Sequence, residues 1–136
     1  MENQINQIIV DTDIIVDYLR KVEPQTNLFR QLLLEDRVLF TVISAYELRV
    51  GSEQTKRQAN LKLLFQPQNT LPLDLTAAIE AGKILAELRA RGQEIGPGDI
   101  LISGICLSNN LPVLTRNEGH FSRVPKLKVM TIHDFA

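Results

Sequence analysis

The sequence has a single cysteine, no tryptophan and no long apolar run. Cys106 alone cannot build a disulfide framework or a cysteine-rich zinc site, which favours a reducing, cytoplasmic compartment. No segment approaches the roughly 18 apolar residues that a membrane-spanning helix needs. The polar N-terminus Met1–Gln7 lacks the charged-then-apolar order of a signal peptide. We therefore expect a cytoplasmic protein that is neither exported nor anchored in a membrane.

The chain also lacks an excess of either charge. Its 15 basic and 16 acidic residues give a net charge of −1, which argues against binding nucleic acid through bulk positive charge. Aromatic residues make up 5% of the chain, too few for a base-stacking platform. Contact with RNA or DNA therefore requires local basic groups. Two clusters are present, one near the C-terminus and one in the middle of the chain: Arg116, Arg123, Lys126 and Lys128, and Arg49, Lys56 and Arg57.

Short apolar runs alternate with amphipathic helical segments along 136 residues, of which 44% are apolar. This alternation predicts right-handed βαβ units and a parallel sheet. The fold class is α/β: a single three-layer α/β/α domain over residues 1–136, with a short, mainly parallel sheet of four to five strands. The predicted strands are Ile8–Val10, Val38–Phe40, Thr70–Leu73, Pro112–Leu114 and Lys128–Met130.

Polar residues mark the predicted helix starts. Ser44 and Glu47 have the capping-box spacing, so Ser44 is the expected N-cap of the helix after the second strand. Asp74 is expected to cap a long helix whose apolar stripe comprises Leu75, Ala78, Gly82, Leu85 and Leu88. The turn at residues 96–98 leads to Asp99, which opens a helix so apolar that it must be buried on several sides.

Carboxylates follow the strands in a way that points to one site. Asp11 follows the first strand, Glu47 lies after the second, and Asp99 precedes the fourth, which Thr115 and Asn117 follow. In parallel sheets, ligands bind outside the carboxyl ends of the strands. Two carboxylates about 4 Å apart repel by roughly 4 kcal/mol at an effective dielectric of 20, so a cluster calls for a cation. All-oxygen donors suit Mg²⁺ or Mn²⁺.

Each of these acidic residues also has a purely structural interpretation. Asp11, Asp74 and Asp99 could be helix caps and nothing more, and Glu47 could only close the capping box of Ser44. Asp13 could point to solvent. Three other reactive side chains carry no signal: Cys106 is expected in the core, and His120 and His133 on the surface, since neither has a partner at metal-ligand spacing.

Four segments in order resemble the PIN domain, and more narrowly the VapC toxins of type II toxin–antitoxin systems. They are residues 9–19 (IVDTDIIVDYL), 44–51 (SAYELRVG), 96–102 (GPGDILI) and 114–117 (LTRN), and the tail 121–127 (FSRVPKL) fits the same subfamily. The resemblance covers nearly the whole chain, and the four motifs in order are more specific than any one alone.

The resemblance implies an endoribonuclease that hydrolyses RNA phosphodiester bonds with Mg²⁺, for which Mn²⁺ can substitute. It assigns Asp11, Glu47 and Asp99 as catalytic residues and metal ligands, with Asn117 binding metal through water. Ser44, Thr115, Arg116 and Asn117 would support the site or bind phosphate. Family members often carry a fourth acid where this chain has Asn117, so one well-held metal is expected rather than two. The implied partners are RNA, a VapB-like antitoxin and a second copy in a homodimer, with Leu48–Phe65 as the packing segment.

Three other functions remain open at this point. A receiver domain would use Asp74 as phospho-acceptor, but it gives no role to Glu47 or to residues 96–99. A phosphatase would use Asp11 and Asp13, but a matching lysine motif and a cap insertion are missing. A catalytically impaired PIN-like domain would only bind RNA or a partner, and Asn117 keeps that alternative alive.

Overall fold

The computed structural model describes residues 6–135, so most of the polar segment at the N-terminus lies outside it. Five strands form one sheet in the order β3-β2-β1-β4-β5, and every neighbouring pair is parallel. The predicted parallel sheet is therefore confirmed, although three strands are only two residues long. The strands are β1 (Ile8–Val10), β2 (Val38–Thr41), β3 (Thr70–Leu71), β4 (Val113–Leu114) and β5 (Val129–Met130).

Helices connect the strands and cover both faces of the sheet. They are α1 (Thr12–Leu19), α2 (Gln25–Leu34), α3 (Val42–Val50), α4 (Thr55–Leu64), α5 (Leu75–Ala90), α6 (Pro97–Ser108) and α7 (Glu118–Phe121), followed by a 3₁₀ helix (Ile132–Phe135). The last two are four residues each, too short to show a helical period in the sequence. Among residues 6–135, no helix has the length and apolar character needed to cross a membrane.

The buried strand β1 separates two cores because its side chains alternate between the faces of the sheet. Ile8 and Val10 pack with the side chains of α1 and α2, whereas Ile9 packs with α5 and α6. This gives the three layers expected for the fold. Cys106 lies in the second core, as predicted, and burial raises the pKa of its thiol.

The packing of α5 against α6 corrects the predicted apolar stripe. Leu88 is buried as expected, but Leu75 is 76% exposed, and Ala77 and Ala81 face the core instead. The cause is the close approach of α6 at Gly104, where a Cβ atom would lie 2.5 Å from the carbonyl oxygen of Ala77 and 2.8 Å from the Cβ of Ala81. Only small residues fit at this crossing.

We expect Gly104→Ala to lower the free energy of unfolding by about 1–3 kcal/mol, since the added methyl group must push two helices apart. Gly82→Ala is the matched control because a Cβ atom there meets nothing within 4 Å. Within α5 that change should raise stability by up to about 1 kcal/mol, through helix propensity. Urea unfolding of both variants measures the difference, and equal effects would contradict the close packing at Gly104.

Candidate active site

Asp11 lies at the carboxyl end of β1 with its two oxygens bonded in different directions. Oδ1 accepts a hydrogen bond from the backbone N–H of Thr12 at 2.7 Å, so Asp11 does cap α1. Oδ2 accepts from the Thr115 hydroxyl at 2.8 Å, across 104 residues of sequence. The residue is only 5% exposed. Capping therefore accounts for one oxygen, and the other faces the end of β4.

Asp13 does not point freely into solvent, which corrects that interpretation. Its Oδ2 accepts from the backbone N–H of Arg116 at 3.1 Å and lies 3.3 Å from the Thr115 hydroxyl. Its Oδ1 is buried and has no hydrogen-bond partner among the residues that the structure describes. A buried carboxylate oxygen without a partner is costly unless something positively charged compensates it.

Burial raises the pKa values of Asp11 and Asp13. The pKa of Asp11 is raised to about 7, mainly by burial and then by the neighbouring charge of Asp13. The charge of Asp99 has a smaller effect in the same direction, and hydrogen bonds from Thr115 and Thr12 lower the pKa. Burial also raises the pKa of Asp13. Shifts of this kind occur where fold geometry concentrates charge for a function.

Glu47 reaches the site because α3 starts earlier than the sequence predicts. Thr41, not Ser44, is the N-cap, and its hydroxyl oxygen accepts from the Ser44 backbone N–H at 3.2 Å. The predicted capping box is therefore wrong: β2 runs directly into α3 at Thr41, whose side chain satisfies the free amide. Glu47 Oε1 instead accepts from the Thr12 hydroxyl at 2.7 Å, and Ser44 Oγ lies 2.8 Å from that same hydroxyl.

Asp99 was predicted to open α6, but it lies within the first turn of that helix. Gly96 is the N-cap and Pro97 the first helical residue, a position that proline favours because it needs no N–H there. Gly98 brings this turn close to α3, since a Cβ atom on it would lie 2.5 Å from Glu47 Oε2. The absence of a side chain at Gly98 leaves the Glu47 carboxylate room beside the first turn of α6, which carries Asp99.

His120 belongs to the site, although the sequence predicted it as a surface residue outside the site. Its Nδ1 lies 3.1 Å from Asp99 Oδ2 and 2.8 Å from Asn117 Nδ2, although the side chain is 45% exposed. The Asn117 backbone N–H donates to the Thr115 hydroxyl at 2.8 Å. The spacing of Asn117 and His120, one turn apart just after a strand, was the available signal. His133 is exposed, as predicted.

Arg116 lies at the edge of the site, and its guanidinium forms an ion pair with the buried carboxylate of Asp17. Its Nε lies 3.0 Å from Oδ2 of Asp17, whose side chain is only 7% exposed, while the Arg116 side chain is 51% exposed. The buried carboxylate keeps the guanidinium beside Asp13 and leaves its outer nitrogens accessible to an anion.

One hydrogen-bonded network thus joins the three predicted catalytic acids. Thr12 links Asp11 to Glu47, and the network continues from Asp11 to Asp99 through the following side chains: Thr115, Asn117 and His120. Across residues 6–135, no three His, Cys, Asp or Glu side chains are spaced to enclose a metal ion by themselves. Asp74 lies outside the network and caps α5, where its Oδ1 accepts from the Ala77 N–H at 2.9 Å.

Comparison with known proteins identifies the family to which this chain belongs. The model of the PIN domain family matches residues 8–127. Ribonuclease VapC1 of Haemophilus influenzae is 32% identical over 128 residues, covering 88% of this chain and 93% of that protein. The tRNA(fMet)-specific endonuclease VapC of Salmonella typhimurium is 29% identical, with coverage of 90% and 96%. The crystal structure of DNA-bound VapBC from Salmonella typhimurium superposes with a TM-score of 0.80 at 28% identity, covering 92% of this chain and 97% of that one. The chain belongs to the PIN domain family.

Proposed function

We propose that this protein is a metal-dependent endoribonuclease and the toxin of a VapBC-type toxin–antitoxin pair. The observation that carries the proposal is the hydrogen-bonded network that links the buried Asp11 carboxylate to Glu47 and Asp99. Holding these acids ionised together is unfavourable without a cation. The relatives named VapC ribonucleases align over nearly all of the chain, which supports RNA as the substrate.

The donor set fits Mg²⁺ or Mn²⁺. Asp11, Asp99 and Glu47 offer only oxygen, and Asp13 adds a buried oxygen that has no hydrogen-bond partner within residues 6–135. Mg²⁺ is usually held by one or two carboxylates and several waters, so a closed protein cage is not needed. We assign Asp11 and Asp99 as the principal ligands, with Asn117 acting through water. An amide at residue 117 supplies no charge, which supports one metal rather than two.

The chain's own groups then have distinct tasks in hydrolysis. A divalent ion held by Asp11 and Asp99 would lower the pKa of a water molecule and offset the charge of the phosphate. Glu47, held by the Thr12 hydroxyl, is oriented to take a proton from the attacking water or to complete the ligand set. Arg116 presents its outer guanidinium nitrogens to the phosphate, and Thr115 and Ser44 keep the acidic side chains in register.

We assign RNA, a VapB-like antitoxin and a second copy of the chain as partners. Exposed apolar side chains on the segment Leu48–Phe65 support its role as a packing surface, among them Val50 and Leu63. Solved relatives from Salmonella typhimurium and Haemophilus influenzae are VapBC structures, and another, from Mycobacterium tuberculosis, is described as a member of the VapBC family of toxin-antitoxin systems. The receiver alternative loses its support because the chain belongs to the PIN domain family and Asp74 lies outside the network that joins the other acids.

The decisive experiment is cleavage of RNA by the purified chain with Mg²⁺ or Mn²⁺, compared with the same reaction in excess EDTA. Initiator tRNA is a suitable first substrate, given the name of the Salmonella relative, with a mixed RNA pool alongside. We expect internal cleavage that needs the metal and stops when it is chelated. Metal-independent cleavage would contradict the carboxylate mechanism, and RNA binding without cleavage would favour the impaired, binding-only alternative.

A further inference from the structure

A cavity opens directly beside Glu47, and nothing in the proposed chemistry uses it. Its volume is about 190 Å³, and it is lined by residues of α1, α3 and α4 and of the turns that follow α1 and α3. We propose that this cavity binds one unstacked nucleotide of the substrate RNA, next to the phosphate that is cleaved. The inference rests on RNA as the proposed substrate and adds the place where one of its nucleotides is held.

The cavity shares a wall with the proposed active site. Thr12 and Glu47 both line it, and the Thr12 hydroxyl donates a hydrogen bond to Glu47 Oε1 at 2.7 Å. The backbone N–H of Thr12 donates to Asp11 Oδ1, also at 2.7 Å. A group bound in the cavity therefore touches side chains that are bonded directly to the acids, so the phosphate that adjoins a bound nucleotide is brought to the site.

The size and the apolar wall of the cavity suit a single base. Leu48 is buried, and Val16 and Leu19 are half-buried, so one side of the lining is apolar. The Ser52 hydroxyl, also in the lining, already donates to the Leu48 carbonyl at 2.7 Å. Pockets for drug-sized ligands usually measure about 300–1,000 Å³, so this smaller cavity fits a smaller group. Bases of single-stranded RNA can leave their stack and enter such a pocket.

Two arginines border the cavity without acidic partners. Arg20, at the C-terminal end of α1, is exposed, and Arg57, on α4, is half-buried. Within residues 6–135, neither side chain forms an ion pair, whereas other arginines of the chain do. Glu47 is the only acid among the described residues of the lining, so the two cations outnumber it. Guanidinium groups bind phosphate through paired N–H donors, which makes both arginines suitable for the phosphates that flank a bound base.

Both arginines also have a purely structural interpretation, in which their stems cover Leu19 and Leu48 while their charged ends stay in water. That interpretation predicts a loss of stability on substitution and no effect on RNA. An acidic side chain from a protein partner would pair with the arginines but would leave the apolar wall unfilled. A nucleotide satisfies both the charge and the apolar wall.

The test measures the affinity of a fluorescently labelled single-stranded RNA for the full chain in EDTA and physiological salt, by fluorescence anisotropy. The variants are Arg57→Gln and Arg20→Gln, and the matched control is Arg30→Gln, which removes the same charge from an exposed position on α2 outside the cavity. We expect each variant to weaken binding about threefold to tenfold and to reduce the slope of log affinity against log salt by about 0.7. The control should change affinity by less than about twofold. Repulsion of RNA by the metal-free acids is common to all of these proteins and cancels in the comparison.

A second measurement tests the base and does not depend on any variant folding. The unmodified chain is given Mg²⁺ or Mn²⁺ and a series of RNA substrates, each lacking the base of one nucleotide. We expect the missing base to lower kcat/KM about tenfold at one position beside the cleaved bond and much less elsewhere, because only that base loses its burial in the cavity.

Equal RNA affinities of Arg57→Gln and Arg30→Gln overturn the inference, as does a missing base that has the same effect at every position. A lower melting temperature of Arg57→Gln with unchanged RNA affinity also overturns it and assigns this arginine to packing. Unchanged affinity and unchanged stability overturn it in favour of a protein partner. If the unmodified chain binds RNA through Arg57 but cleaves none with metal, the proposed ribonuclease function fails while the nucleotide site stands. If it cleaves RNA without any contribution from Arg57 and Arg20, only the nucleotide site fails.

Discussion

Asp99→Asn should lower RNA cleavage by roughly a thousandfold or more while leaving the protein folded. Asparagine has the same shape but no negative charge, so it removes a proposed metal ligand without opening a cavity. Loss of the ion's stabilisation of the reacting phosphate is worth several kcal/mol, and about 4 kcal/mol corresponds to a thousandfold in rate. The measurement is the single-turnover cleavage rate at saturating metal.

Asp74→Asn is the matched control for that substitution. Asp74 caps α5 through its bond to the Ala77 N–H, and asparagine caps a helix about as well as aspartate. The control should therefore cleave RNA at the unmodified rate, with the same circular dichroism spectrum. Robust cleavage by a folded Asp99→Asn variant would refute the assignment of Asp99 to the metal site.

The second large effect concerns stability and pH. In the folded, metal-free protein, burial and neighbouring acids raise the pKa of Asp11 to about 7 from a usual value of 3.8. The folded state therefore keeps a proton that the unfolded state releases. Stability is greatest below about pH 4 with respect to this group and declines as the pH rises towards 7, by up to about 4 kcal/mol. Asp13 acts in the same direction.

Asp11→Asn should remove most of this dependence, since an amide does not ionise. We expect the variant to be more stable than the unmodified chain at pH 8 without metal, and to show a flatter stability curve between pH 4 and 7. Added Mn²⁺ should raise the melting temperature of the unmodified chain at pH 8 but not that of the variant. Urea unfolding across this range tests the idea, and equal slopes for the two proteins would refute it.

The fold was largely predictable because its signal is local. Apolar runs and helical periodicity can be recognised from neighbouring residues alone. The parallel sheet that they predicted is confirmed. The starts of α3 and α6 were not predicted correctly, because they depend on where the preceding strand or loop ends. Thr41 is both the last residue of β2 and the N-cap of α3. Helix α6 begins at Pro97, about one turn closer to the N-terminus than predicted.

The site was predictable only in part, for a related reason. Asp11, Glu47 and Asp99 could be placed from the rule that strand ends meet at one edge of a sheet. The roles of Thr12, Gly98 and His120 depend on partners far away in sequence, such as Asp99, which is 21 residues from His120. No local pattern carries that information.

The order of the strands has a consequence for how the protein is made. Strand β1 emerges first, but its neighbour β4 comes more than 100 residues later, and it is the end of β4 that brings Thr115 to Asp11. A ribosome-bound chain that ends before β4 has one side of β1 unpaired and no assembled site. The proposed active site therefore cannot assemble in a nascent chain until β4 and the residues that follow it have been synthesised.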